Sequence, residues 1–276
     1  MGKDLTDKTV VITGASSGIG RATAIACAQA GMNAVINARR ADKLKAVAEQ
    51  IESMGRKAEI VCGDVTAPET SARLLDAATQ RFGGFDVVFA NAGYGVRSSV
   101  CDMEDSELRE MFEVNFFAAN GLLREAARRL IRERRRGHLL MCSSSVARFA
   151  LPRFGAYCAT KSAQAHICQA LRAELRPYHI RVSSVHPIGT TTEFYDVVGR
   201  RSHPNENADS MLQQTPQRFI QSPELVAKAV VACLRKPRPE VWTSHTVRWF
   251  AAAVTAFPSL AGIVFKDTPL APADPA

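Results

Sequence analysis

Tyr157 and Lys161 stand four residues apart in the segment YCATK, a spacing that puts two side chains on one face of a helix. A free tyrosine titrates near ~10, too high for a base at neutral pH. An ammonium beside it in a poorly solvated site stabilises the phenolate and lowers that value, making a proton donor and acceptor. Such a pair also arises by chance, and plain surface pairing is the competing account. Ser143, Ser144 and Ser145 close the preceding apolar run, and their hydroxyls could polarise a carbonyl beside the tyrosine. Near the N-terminus a second apolar run enters TGASSGIG, residues 13–20. Glycines between a strand and a helix let backbone approach a phosphate, while the helix N-terminus offers N–H donors and a favourable dipole. A structural turn would use glycines as well, and three residues separate the first two glycines here, which is not the G-x-G-x-x-G spacing.

The elements that must position these groups alternate along the chain. Short apolar runs at 8–13, 34–37, 58–62, 87–90, 138–142 and 180–185 predict strands, and helical spacing predicts helices over 20–31, 42–54, 68–82, 106–136, 156–176 and 223–235. Strands of four to six mostly apolar residues separated by helices imply a parallel sheet covered on both faces. In such sheets ligands bind beyond the carboxyl ends of the strands. Gly14, Asp64, Asn91, Ser144 and Pro187 would therefore collect in one crevice. The polar stretch 189–222 reads as a lid or binding loop. The apolar stretch 247–265 is interrupted by Arg248 and Pro258, too broken for a spanning helix. It fits packing on the domain, on a partner or on a membrane surface.

Composition narrows the classes. The chain has 276 residues, 46% of them hydrophobic and 22% charged, which excludes a disordered chain, a collagen-like repeat and a disulfide scaffold. Seven cysteines without a C-x-x-C pair read as reduced thiols in a cytoplasmic protein, and no signal peptide is visible. Much of the net charge of +8 lies in the arginine run 124–136. That run reads as a solvated helix end rather than a nucleic-acid groove, since no aromatic residues interleave with it. His138, His166, His179 and His186 are scattered, so no metal site is expected.

Taken together, TGASSGIG, YCATK and the serines resemble the short-chain dehydrogenase/reductase family in its shorter oxidoreductase branch. The resemblance covers about residues 8–195, with an echo in Ser222, Pro223 and Glu224. It implies a single-domain, Rossmann-like α/β fold: a doubly wound parallel sheet with helices on both faces. That domain would span 1–245, with 246–276 as an apolar extension and mobile tail. In the family, TGxxxGIG holds the cofactor pyrophosphate, here Thr13, Gly14, Ser16, Ser17, Gly18, Ile19 and Gly20. Asp64 and Val65 match the pair beside adenine, and Asn91, Ala92 and Gly93 match the adjacent NAG segment. The catalytic tetrad maps to Asn115, Ser144, Tyr157 and Lys161. The family serine stands thirteen residues before the tyrosine, which selects Ser144 over Ser145. The family pattern P-G-x-V-x-T is replaced by Pro187, Ile188, Gly189, Thr190, Thr191 and Thr192. The carboxamide contacts implied for Pro187, Gly189, Thr190 and Thr192 therefore meet a loop of altered shape.

Cofactor choice is read at the end of the second strand. An Asp there would accept ribose hydroxyls and repel a 2′-phosphate. Ala38 is neutral instead, and Arg39 with Arg40 offers planar, permanent charge, which in this resemblance implies NADP(H). The expected activity is reversible carbonyl/alcohol interconversion on a lipophilic small molecule. A lipophilic pocket would draw on Phe149, Phe154 and Phe194, and Tyr94 would face it or form its wall. The resemblance further implies a homodimer or homotetramer. A non-catalytic NADP(H)-binding regulator of the same fold is the alternative. An extended-branch enzyme on nucleotide sugars is disfavoured by the chain length and the glycine spacing.

Overall fold

The structure, a computed structural model, describes residues 2–202 and 217–260. The chain runs β1 (Thr9–Thr13), α1 (Gly18–Gln29), β2 (Asn33–Ala38), α2 (Ala41–Ser53), β3 (Ala58–Cys62), α3 (Thr70–Phe82) and β4 (Val87–Ala90). Next come α4 (Asp105–Phe112), a π-helical segment (Glu113–Ala118), α5 (Ala119–Arg132), β5 (His138–Cys142), α6 (Gly155–Leu175) and β6 (Arg181–His186). After β7 (Gly189–Thr190) and α7 (Phe194–Arg201) follow β8 (Ile220–Gln221), α8 (Pro223–Arg235), β9 (Glu240–Trp242) and α9 (His245–Ala256). Seven parallel strands form one sheet in the order β3-β2-β1-β4-β5-β6-β9. The order reverses between β1 and β4, which opens a crevice at their carboxyl ends.

Alternation along β1 builds the two layers. Val10 and Ile12 pack with Leu44 of α2 and Val226 of α8, whereas Val11 packs with Leu74 of α3, Leu122 of α5 and Leu171 of α6. Successive side chains of a strand point to opposite faces, so a run of apolar residues feeds both cores at once. The expected α/β sheet covered on both faces is the observed fold. At the start of α8 the Ser222 hydroxyl caps the Leu225 N–H at 3.3 Å, with Pro223 in the first turn.

Two expectations are corrected, a third is narrowed to packing on the domain, and one strand is added. The helix expected over 106–136 is α4, the π segment and α5, and it ends at Arg132, beyond which Arg134 turns left-handed at φ 52°. The stretch 189–222 is not all loop: it carries α7 and the β7–β8 pair. The stretch 247–265 begins within α9, whose Val247, Ala251 and Val254 are buried; its residues 261–265 lie outside the described residues. The edge strand β9 has no counterpart in the sequence reading. Among the described residues no helix is long and apolar enough to cross a membrane.

Two of the histidines are core residues. His138 pairs with Ser183 at 2.8 Å and His186 with Ser184 at 2.9 Å. Burial brings His138 down to about 3, helped by the charges of Lys3 and Arg181, and burial brings His186 down to about 4. The unfolded chain takes up protons near ~6.5 that the fold refuses. Stability is therefore flat above that pH and falls below it, by roughly 1.4 kcal/mol per pH unit for each histidine. Urea midpoints at pH 7.5, 6 and 5 check this; a midpoint unchanged at pH 5 contradicts it.

Candidate active site

A cleft of about 1670 Å³ runs along the carboxyl ends of the strands. At one end the chain leaves β1 through Gly14, with φ +66°, where a Cβ would stand 2.9 Å from the Ala92 Cα. Only glycine lets this turn and the turn after β4 approach so closely. The two turns are tied together: the Thr13 hydroxyl accepts from the N–H groups of Asn91 and Ala92 at 3.0 and 3.1 Å, and Asn91 Nδ2 donates to the Thr13 carbonyl at 3.0 Å. Ser17 ends the turn without its side chain capping α1, so the first-turn N–H groups of α1 lie available at the cleft. Gly14, Ser16, Ser17, Gly18 and Ile19 line this end; Thr13 and Gly20 do not.

Charge gathers beside the glycines. Arg40 donates to the Ser16 and Ser17 hydroxyls, each at 2.9 Å, and pairs with Glu193 at 2.6 Å. Lys43 holds the other oxygen of Glu193. Burial pushes the Glu193 carboxyl up, but its bonds to Lys43 and Arg40 outweigh this and bring it down to about 2. Arg39 is different: its side chain is 75% exposed, and its ion pair is a long one, 3.7 Å to Asp64. Asp64 accepts from Thr66 at 3.0 and 2.8 Å, and it lines the cleft with Val65, Asn91, Ala92 and Gly93.

Further along, the proton-handling groups converge. Ser144, Tyr157 and Lys161 all line the cleft, with the Ser144 hydroxyl close enough to the Tyr157 phenol to favour its ionised form. Ser145 is also at the cleft, but its N–H is committed to the Pro187 carbonyl at 2.9 Å. Lys161 Nζ donates to the Cys142 carbonyl at 2.8 Å and lies 5.5 Å from the Tyr157 ring centre. Burial pushes the phenol up, partly opposed by the Ser144 hydroxyl, and pushes the Lys161 ammonium down. The lowering expected from the lysine does not prevail here, because burial of the phenol outweighs it.

Asn115 is wholly buried behind these groups. It sits in the π-helical segment, where one extra residue in the turn re-aims the side chain. Its Nδ2 donates to the Tyr94 carbonyl at 2.8 Å and to Thr160 at 3.1 Å, and its Oδ1 accepts the Tyr94 N–H at 2.9 Å. Gln164 donates to the Asn115 carbonyl. Pro187, Gly189, Thr190 and Thr192 line the far wall with Ile188, whose carbonyl accepts the Thr190 hydroxyl at 2.8 Å.

The remaining end is apolar. Phe149, Phe154 and Phe194 all reach it, as does Phe250 of α9, which meets Phe149 edge-on at 5.2 Å. Tyr157 packs against Phe194 at 5.3 Å. Tyr94 is a wall residue, its hydroxyl donating to Glu107 at 3.0 Å with the Arg201 guanidinium 4.3 Å over its ring. Sequence reasoning missed the α9 wall of Val247 and Phe250; the VRWF segment was the available signal, since apolar residues three apart share a helix face. It also missed Glu193 as the partner of Arg40, which no spacing could reveal.

The donors present suit a nicotinamide dinucleotide. Bare helix N–H groups and a tight glycine turn suit a pyrophosphate, and Asn37 adds a buried acceptor, Oδ1, without a partner at the cleft. Comparison with known proteins agrees. The short chain dehydrogenase family profile matches residues 8–202. An uncharacterized oxidoreductase of Mycobacterium tuberculosis is 34% identical over 243 residues, covering 88% of this chain and 90% of that one. An alcohol dehydrogenase of Thermococcus sibiricus, solved with 5-hydroxy-NADP, superposes with TM-score 0.73 at 29% identity, over 85% of this chain and 95% of that one. A short chain dehydrogenase/reductase of Burkholderia phymatum, solved with NAD, shares the fold with TM-score 0.84 at 23% identity, over 99% of both chains. On the fold, the matched residues and this relative, the chain belongs to the short-chain dehydrogenase/reductase family of oxidoreductases.

Proposed function

We propose that the chain is an NADP(H)-dependent oxidoreductase that interconverts a carbonyl and an alcohol on a lipophilic small molecule. The observation that carries this reading is the convergence of Ser144, Tyr157 and Lys161 between the glycine cradle and an aromatic chamber in a single cleft. When bound, the nicotinamide supplies or takes the hydride. In reduction Tyr157 gives its proton to the substrate oxygen, and in oxidation it removes that proton. Ser144 hydrogen-bonds the same oxygen. Lys161 holds positive charge beside the phenol ring, and Asn115 fixes the Tyr94 backbone behind it. Phe149, Phe194 and Phe250 favour an apolar substrate body and exclude water from the proton transfer.

The preference for NADP(H) is supported by Arg39, which is exposed and only loosely paired, whereas Arg40 is already committed to Glu193 and the two serines. A charge-assisted bond to a phosphate contributes roughly 1.5–3 kcal/mol. Arg39→Ala is therefore expected to weaken NADPH about 10- to 100-fold while leaving NADH within about twofold. Titration of both cofactors by fluorescence checks it, and equal losses for the two would remove Arg39 from this role. The general test is NADPH oxidation against a panel of apolar ketones and aldehydes, with NADH alongside. Turnover preferring NADH keeps the oxidoreductase and discards the cofactor reading. Tight NADPH binding without turnover in either direction favours a non-catalytic regulator.

By the same resemblance the protein would work in the cytoplasm as a homodimer or homotetramer. Phe117, 53% exposed in the π-helical segment before α5, supports a covered face there.

A further inference from the structure

Directly behind Ser144 lies a buried polar chain that the proton-transfer groups do not include. His186, the last residue of β6, is fully buried, and its Nδ1 lies 2.9 Å from the Ser144 carbonyl oxygen. A carbonyl only accepts, so Nδ1 carries the proton. In the neutral ring Nε2 then accepts from the Ser184 hydroxyl, 2.9 Å away. Trp242 of β9 stacks on the imidazole at 4.5 Å and 8°, which fixes the ring plane. The Trp242 indole donates to Glu240 at 2.8 Å, and the other oxygen of Glu240 takes Arg148. Arg148 closes the short turn Ser145–Ala147 that begins at Ser144.

The serine loop is therefore gripped at both ends by β6 and β9, the last two strands of the sheet. His186 holds the Ser144 carbonyl, Pro187 holds the Ser145 N–H at 2.9 Å, and Glu240 holds Arg148 beyond the turn. Ser144 is extended, φ −160° and ψ 161°. Fixing its carbonyl fixes ψ, and with it the direction from which the hydroxyl meets Tyr157. His186 does not line the cleft, so it acts on the reaction only through Ser144.

We propose that His186 is a positioning residue, whose Nδ1–H bond to the Ser144 carbonyl aims the Ser144 hydroxyl at the reacting oxygen. This rests on the proton-transfer role of Ser144 and Tyr157 proposed above. A misplacement of about 1 Å in such a group costs about 100-fold.

The test uses the full chain with His186→Phe, which keeps a ring against Trp242 without the donor, and His186→Asn, whose amide nitrogen stands near the position of Nδ1. Melting curves establish that each variant folds. His186→Phe is expected to lower kcat about 10- to 100-fold, with KM and the NADPH Kd within roughly threefold of the parent. His186→Asn is expected to recover kcat to within roughly threefold, despite losing the stack. Unchanged kcat in His186→Phe overturns the proposal. So does an equal loss in His186→Asn, or a parallel worsening of kcat, KM and Kd, which marks a general structural role. The parent and Tyr157→Phe are assayed alongside: parent turnover that vanishes in Tyr157→Phe upholds the proton-transfer reading whatever His186 does. If the parent shows no turnover, that reading fails, and amide exchange at residues 145–148 tests the clamp alone. Exchange unchanged by His186→Phe then overturns it.

Discussion

Tyr157→Phe is expected to lower turnover by about 10²- to 10⁴-fold, the range that a positioned proton donor contributes, while NADPH binds within about twofold of the parent. The substitution removes one oxygen and little else. The ring stays packed edge-on to Phe154 at 6.5 Å and tilted on Phe194 at 5.3 Å, so neither the chamber nor the glycine cradle loses a contact. What disappears is the hydroxyl that would give its proton to the substrate oxygen. Burial holds the phenol protonated at neutral pH, which suits it to donate in the direction of carbonyl reduction. Oxidation needs the phenolate and is expected to gain rate as the pH rises through the alkaline range. Initial rates of NADPH oxidation in parent and variant, with binding followed by fluorescence, measure the two effects separately. A variant that keeps a tenth or more of the parent rate takes the proton transfer away from Tyr157.

How much of this could be read beforehand depends on what fixes each part. The strands at 87–90 and 138–142 were found at their observed bounds because each is a run buried between two helical layers, and a buried strand shows itself as continuous apolar sequence. The convergence of Gly14, Asp64, Asn91, Ser144 and Pro187 followed from sheet topology alone. β9 escaped because three residues, Glu240–Trp242, are too few to display a period. α7 escaped because tertiary pairs hold it: Glu193 before its first turn binds Arg40 and Lys43, and Arg201 in its last turn binds Glu107 and Glu110. The π-helical turn around Asn115 escaped because a 3.6-residue pattern has no place for an inserted residue. The direction of the Tyr157 shift was also beyond the sequence. It is set by burial, and how deeply Tyr157 is buried depends on elements far from it in the chain.

The same distinction between pattern and contact gives the second large effect, a pair of identical substitutions with opposite signs. Gly20 lies in the first turn of α1, where a methyl would press into the Gly14 carbonyl oxygen and stand 2.6 Å from Asn91 Nδ2. That amide joins the turns after β1 and β4, so the methyl can be housed only by moving α1 away from the sheet. Gly20→Ala is expected to cost about 1–3 kcal/mol of stability, as overpacking of a tight interior does. The displaced helix carries its N–H donors away from the cradle, and NADPH binding is expected to weaken at least about tenfold. Gly121 lies within α5 with nothing in reach of an added Cβ. Gly121→Ala relieves the backbone entropy of a helical glycine and is expected to raise stability by about 0.5–1 kcal/mol without touching cofactor affinity. Urea midpoints and NADPH titration of both variants check the pair. If Gly20→Ala bound NADPH as the parent does, the close contact of α1 with the first turn would not be what shapes the cradle, and the uncapped N–H groups of α1 would have to act from a helix free to shift.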